Sequence, residues 1–234
     1  MLTDSPLSHF ISFLLEPVAY FIYALIFLWI WRQKSRKPRY MILCGYYLAA
    51  TTLMVKASMV KTDSNIDLYD FLFLLSSICL AAFFYLLYTD RIKKLIAAII
   101  GGAEVIYFIF NNLIFSGSPL FDSTAYVILS SGVAVMIFMY IHELLVNISE
   151  QPLLFSFDFW FVSGQIIYHL GSFIIFLTFN YLTKKILPAE FYSHENRAIL
   201  TKLWGVHNVL LFLGSLLTTG GVAWISFHKK SPSS

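Results

Sequence analysis

Apolar residues come in seven long blocks, at about residues 10–31, 40–60, 69–88, 95–115, 124–145, 159–182 and 203–227, with short polar stretches between them. A helix needs about 20 mostly apolar residues to cross the hydrocarbon layer. Backbone groups in lipid must pair within their own segment, so blocks of this length read as helices and not strands. The pattern predicts an all-α, polytopic membrane protein: a seven-transmembrane-helix bundle that forms a single transmembrane domain over residues 1–234. The connections are too short for a separate soluble domain. Met1 to Ser8 carry Asp4 and no Lys or Arg, and the first block has no small-residue cleavage site. That block therefore reads as a retained span and not as a signal peptide.

Charge placement orients the bundle. Five of the 16 Lys and Arg residues fall in one loop, Arg32, Lys34, Arg36, Lys37 and Arg39, between the first two blocks. Basic residues beside a span stay on the cytoplasmic side. With this loop inside, Arg91, Lys93, Lys94, Lys229 and Lys230 also lie inside, while Lys61, Lys184, Lys185, Arg197 and Lys202 lie outside with Asp63, Asp67, Asp70, Asp122, Glu190 and Glu195. Seven spans then place the N-terminus outside and the C-terminus in the cytoplasm. The loop from Asn147 to Asp158 runs against this pattern, because it should be inside and holds no basic residue. Asn147-Ile148-Ser149 matches a glycosylation sequon, but on the wrong face to be used.

Composition agrees with a membrane chain. Charged residues are 12% of the sequence, about half the usual share in soluble domains, and mean hydropathy is +0.74. The net charge of +3 is small and forms no nucleic-acid footprint. Trp29, Trp31, Trp160 and Trp224 fall near the inner boundary and Trp204 near the outer one, where indole rings anchor spans. Cys44 and Cys79 lie inside apolar blocks and read as buried free thiols. Pro17 should loosen the first helix, and Asp158 or Ser156 should cap the sixth.

Ionisable groups inside spans are costly, so each is a functional candidate. Glu16 and Lys56 share the outer third and are expected to pair; Tyr20 and Tyr23 lie on the Glu16 face. Gly45, Ala49, Thr52 and Lys56 form one stripe on the second helix, a small-residue face expected to meet a neighbour. Glu104 and His169 stand near the bilayer centre. Glu104 shares a stripe with Gly101 and Asn111; His169 shares one with Gln165, Ser172 and Phe176 and follows Tyr168. On the seventh helix His207, Asn208, Ser215, Thr218 and Thr219 run down one side, which predicts a polar seam between helices six and seven. His142 and Glu143 fall at the inner headgroup level.

Several chemistries are excluded or weakened. Retinal needs a lysine in the last helix, and none lies between Leu203 and Phe227. A haem needs histidines at matched depth, whereas His142, His169 and His207 fall at three different depths. No His-Glu-x-x-His zinc motif, phosphate loop or nucleophile elbow is present, and no cofactor or metal is called for. Phe157-Asp158-Phe159-Trp160 leading into Tyr168-His169 resembles small multi-span proteins of bacteria, a likeness confined to one helix. It implies a bacterial inner membrane and no residue role.

By elimination the sequence reads as a sensory or signalling membrane module. A small polar ligand or lipid would bind in one intramembrane pocket walled by Glu16, Lys56, Glu104, Asn111, His169 and His207. A cytoplasmic or membrane signalling partner would dock on the basic inner face. A small transporter or proton-coupled carrier using Glu104 is the first alternative, and an intramembrane lipid-modifying enzyme the second.

Overall fold

In a computed structural model the chain is all-helical, and the structure describes residues 10–33, 37–59, 66–114, 122–147, 152–185 and 194–228. Among the described residues seven α-helices follow one another: α1 (Leu15–Gln33), α2 (Pro38–Met59), α3 (Ile66–Leu87), α4 (Arg91–Phe108), α5 (Ser123–Val146), α6 (Phe157–Lys185) and α7 (His194–His228). Six of them are long and apolar enough to cross a membrane. The remaining one, α4, expected from the sequence as a span, is not among the six; it carries Arg91, Lys93, Lys94 and Glu104 within 18 residues. The block ends at Val60 and Phe115, Ile148 and Ser149 of the sequon, and the charges Asp4, Lys34, Arg36, Lys61, Asp63, Glu190, Lys229 and Lys230 lie outside the described residues, as do the side chains of Lys184, Lys185, Glu195 and Arg197.

Helix ends follow local chemistry. Asp90 caps α4 by accepting from Ile92 N, and Asp122 caps α5 by accepting from Thr124 N and Ala125 N. Of the two cap candidates for α6, Ser156 serves: its hydroxyl accepts from Phe159 N. Asp158 is used elsewhere. Pro17 has no N–H to give, and the helix before it runs as a π-helical turn at Phe10–Leu14 that changes to α at Leu15. A second π-helical turn, Ile109–Ile114, continues α4. Such turns mark places where the hydrogen-bond ladder is re-spaced.

The helices alternate in direction and form a ring of α1, α2, α3, α5, α6 and α7, with α4 packed on the outside of the α3–α5 pair. The buried face of α4 is narrow, Ala97, Gly101 and Glu104, while Leu95, Ile99, Ile106 and Phe110 are exposed. Phe161 of α6 is the aromatic hub: its ring meets Tyr23 and Phe27 of α1, Tyr47 of α2 and Phe83 of α3 at centroid distances of 4.9–6.3 Å. Edge-to-face contacts of this kind contribute beyond their buried area.

The α6–α7 crossing is set by glycine. A Cβ on Gly164 would sit 2.6 Å from the Gly214 carbonyl oxygen, and one on Gly214 would sit 2.7 Å from that of Gly164. Backbone meets backbone there, so no side chain can yield. Without a hydrophobic drive between helices in lipid, such close packing is what holds a pair together. Gly164→Ala or Gly214→Ala should each lower stability by about 1–3 kcal/mol, read as a lower unfolding midpoint in detergent. Gly45→Ala meets open space and should be close to neutral.

Candidate functional site

Polar side chains collect inside the ring in the half nearer the start of α1. Glu16 is 3% exposed, and its carboxylate accepts from the Tyr69 hydroxyl of α3 at 3.3 Å. One turn on, Tyr20 faces Glu16, Tyr46 of α2 and Tyr168 of α6. Tyr46 shares a 2.8 Å hydrogen bond with Ser76 of α3. His207 of α7 bonds Ser172 at 2.9 Å and Tyr168 at 3.4 Å, both on α6. Trp204 packs its ring on His207 and on Tyr69, which closes the circuit back to Glu16. Tyr126 of α5 donates to the Tyr69 carbonyl.

His169 stands beside this circuit and outside its hydrogen bonds. It is 2% exposed, its ring lies 4.6 Å from that of Tyr168, and His207 is its electrostatic neighbour. Neither of its ring nitrogens has a hydrogen-bond partner. A buried polar atom left unpaired costs about 1–3 kcal/mol.

Toward the other end the polar chain thins and stops. Gln165 of α6 donates to both Tyr23 and Tyr47 at 3.3 Å, and the Tyr23 and Tyr47 rings stack at 4.5 Å. Beyond them Phe27, Phe83 and Phe161, each no more than 1% exposed, fill the axis. Below that plug Arg39 donates two hydrogen bonds to Asp158, at 3.1 and 2.6 Å, and ties α2 to α6. At the same end Glu143 accepts from Thr89 N and the Thr89 hydroxyl and pairs with Lys93 at 3.3 Å, tying α4 to α5. His142 is exposed.

Glu104 lies apart. It is 1% exposed, and its carboxylate presses on the space that a Cβ of Gly132 of α5 would fill. Ser77 of α3 faces it, yet neither carboxylate oxygen nor the Ser77 hydroxyl makes a hydrogen bond of ordinary geometry. Gly101 brings α4 onto α3, its Cβ position 2.5 Å from Ala81 Cβ. The expected Gly101–Glu104 stripe is therefore the buried face of α4.

The single pocket expected from the sequence is not formed as one site. The structure brings together Glu16 and His207, with His169 beside them. Glu104 faces the α3–α5 pair from outside the ring, with α5 between α4 and α6. Asn111 belongs to neither group: with Tyr107 it donates to Asp122, at 2.8 and 2.9 Å. Lys56 is exposed, and the Gly45, Ala49, Thr52 and Lys56 stripe turns outward, with Gly45 and Thr52 exposed as well. The face of α2 that packs inward carries Tyr40, Leu43, Tyr47, Ala50, Met54 and Ala57. Aromatic volume, and not small size, decided the orientation of α2. The expected Glu16–Lys56 pair is thus corrected: Glu16 is buried and bonds Tyr69, while Lys56 points away. The polar seam between α6 and α7 is present, with Thr218, Ser215 and Asn208 buried along it. Among the described residues no three His, Cys, Asp or Glu side chains converge as metal ligands.

Sequence reasoning put Tyr20 and Tyr23 on the Glu16 face and Tyr168 beside His169, but it missed Tyr46, Tyr47, Tyr69 and Tyr126 as site residues, and it missed Arg39–Asp158. The signals were present. Tyr20 and Tyr23 stand three apart on one helix, Tyr46 and Tyr47 follow one another on the next, and Asp158 is a lone acid at the start of an apolar block facing a basic loop.

Two outcomes follow. Asp158→Ala leaves Arg39 largely buried and unpaired, and should cost nearly the roughly 3–5 kcal/mol of a fully buried pair. Arg39→Met/Asp158→Leu should recover most of that loss, and a double-mutant cycle on unfolding midpoints measures it. Glu104→Gln removes a carboxylate that no cation faces, and should leave stability unchanged or raise it; a marked loss would mean that the negative charge is itself held by a partner. Compared with models of protein families, with curated proteins and with solved structures, the chain matches none.

Proposed function

We propose that this chain is a membrane-embedded sensing module that binds a small polar ligand in the core around Glu16, His169 and His207. It would pass the bound state to a signalling partner at its basic end. The observation that carries this reading is His169: an imidazole inside the bundle, among tyrosines and beside His207, with both nitrogens free to bond. A protein core keeps such a group where function uses it, at a cost in stability.

The other parts of the reading have their own support. The end with Arg32, Lys37, Arg39, Arg91, Lys93 and Lys94 opposes the end with Lys56 and Lys202. This supports the basic end as cytoplasmic and the N-terminus outside, with the loop between α1 and α2 inside; the membrane we propose is a bacterial inner one. The three basic residues of α4 cluster in its first turn, at headgroup level, and its outward face from Leu95 onward is apolar, which supports a seventh span. The sealed axis at Phe27, Phe83 and Phe161 favours sensing over transport, because a carrier's path would have to pass those rings. Glu104, the carboxylate assigned to a carrier, stands off that axis.

Replacing His169 separates a binding role from a structural one. His169→Leu should raise the unfolding midpoint in detergent by a few degrees, by removing an unpaired polar group that costs about 1–3 kcal/mol. It should also abolish signalling in cells. A lower midpoint would show that the imidazole serves packing or a hydrogen bond, and the binding role would fail.

A further inference from the structure

At the basic end, between α3 and α4, lies a hollow of about 530 Å³ lined by Tyr85, Arg91, Lys94, Leu95 and Ala98. Its chemistry divides in two. Arg91 and Lys94 supply two cations, and the Lys94 ammonium stands 5.8 Å from the centre of the Tyr85 ring. Leu95 and Ala98 continue from them onto the exposed apolar face of α4. One turn further, Gly102 is exposed and a Cβ there would meet nothing within 4 Å. A shallow apolar track thus runs from the charged hollow along the helix.

The charges around it are already allotted, and these two are not. The ion pairs among the described residues are Arg39–Asp158 and Lys93–Glu143; Arg91 and Lys94 enter neither. Asp90, the nearest acid in sequence, turns its carboxylate to Ile92 N to cap α4. Lys93, on the same turn as Arg91 and Lys94, is taken up by Glu143. The hollow therefore presents two uncompensated cations at the level where α4 begins, above an apolar surface.

We propose that this hollow binds an anionic phospholipid. The phosphate would sit between Arg91 and Lys94, the headgroup against the Tyr85 ring, and an acyl chain along Leu95, Ala98 and Gly102. A basic pocket between membrane helices, next to an apolar face, suits a lipid headgroup. A soluble phosphate would use the cations and leave the track idle. The proposal is independent of the ligand site around His169. It also gives α4, which has the narrowest protein contact of the seven helices, a lipid that spans its seam with α3.

The test uses the full chain, purified and reconstituted in nanodiscs of phosphatidylcholine alone or of equal parts phosphatidylcholine and phosphatidylglycerol. Lipid retained through detergent extraction is counted by native mass spectrometry. Wild-type protein should retain phosphatidylglycerol in preference to phosphatidylcholine. Arg91→Gln/Lys94→Gln should weaken that preference by about 30-fold, the combined effect of two basic residues at a membrane surface. Arg91→Lys/Lys94→Arg, which keeps both charges, should retain most of it, and Lys202→Gln at the opposite end should retain all of it. Equal retention of both lipids by the wild type, or an unchanged preference in the double Gln variant, would overturn the proposal. So would displacement of phosphatidylglycerol by millimolar inorganic phosphate, which would make this a phosphate site and not a lipid site.

Discussion

Ser and Thr hydroxyls in this bundle can bond back to a carbonyl of their own helix, as Ser131, Ser163 and Thr219 do, but the ionisable, amide and tyrosine side chains that enter it have to find a partner on another helix, because lipid offers none. That constraint explains why α6 is the centre of the structure. Arg39 of α2 reaches Asp158 on it, Tyr23 and Tyr47 of α1 and α2 reach Gln165, and His207 of α7 reaches Ser172 and Tyr168. Each bond fixes the rotation of two helices at once. The glycines at positions 164 and 214 let α7 come close enough for the His207 bonds to form. Phe161 fills the space left between them.

Two ionisable groups among the described residues break the constraint, and they break it differently. Glu104 is wedged between α4 and α5 beside Ser77 and Gly132, at a seam where a peripheral helix is held by few contacts. His169 is on the central helix, among tyrosines that are themselves bonded. An unpaired group at a loose seam is tolerated because the seam can adjust. An unpaired group in the most tightly bonded part of the molecule has no such excuse, and this is why the functional reading rests on His169. Depth alone would rank the two the other way, since a carboxylate is the costlier residue at mid-membrane.

The helical class and the order of the helices were legible in the sequence, because about 20 apolar residues in a row leave few alternatives; the start of α7 at His194 was not, because the stretch from His194 to Lys202 is largely polar. The α6 stripe of Gln165, His169, Ser172 and Phe176 and the α7 stripe of His207, Asn208 and Thr218 were legible for the same reason: polar residues at helical spacing must share a face. What could not be read was which helix faces which. Glu16 and Lys56 share a depth, and depth suggested a pair. Rotation decided otherwise, because α2 has a larger face of Tyr40, Tyr47 and Met54 to bury. The status of α4 was also hidden, since an apolar block with charges in its first turn looks like a span whether it sits in the ring or outside it. Arg39 looked like one more orienting charge in a basic loop, when it is in fact half of the main tie between α2 and α6.

The proposed ligand would reach the buried polar core around Glu16, His169 and His207 from the Glu16 end, while Phe27, Phe83 and Phe161 fill the axis toward the basic end. The most direct measurement places a reporter thiol in that core by Ser172→Cys, in a background with Cys44→Ser and Cys79→Ser. Sealed vesicles of either orientation are then exposed to a small charged methanethiosulfonate. The account predicts modification when the Glu16 end faces the reagent, and none when the basic end does. Modification from the basic end would contradict it, because the aromatic plug would then be passable and the molecule would offer a path through the membrane.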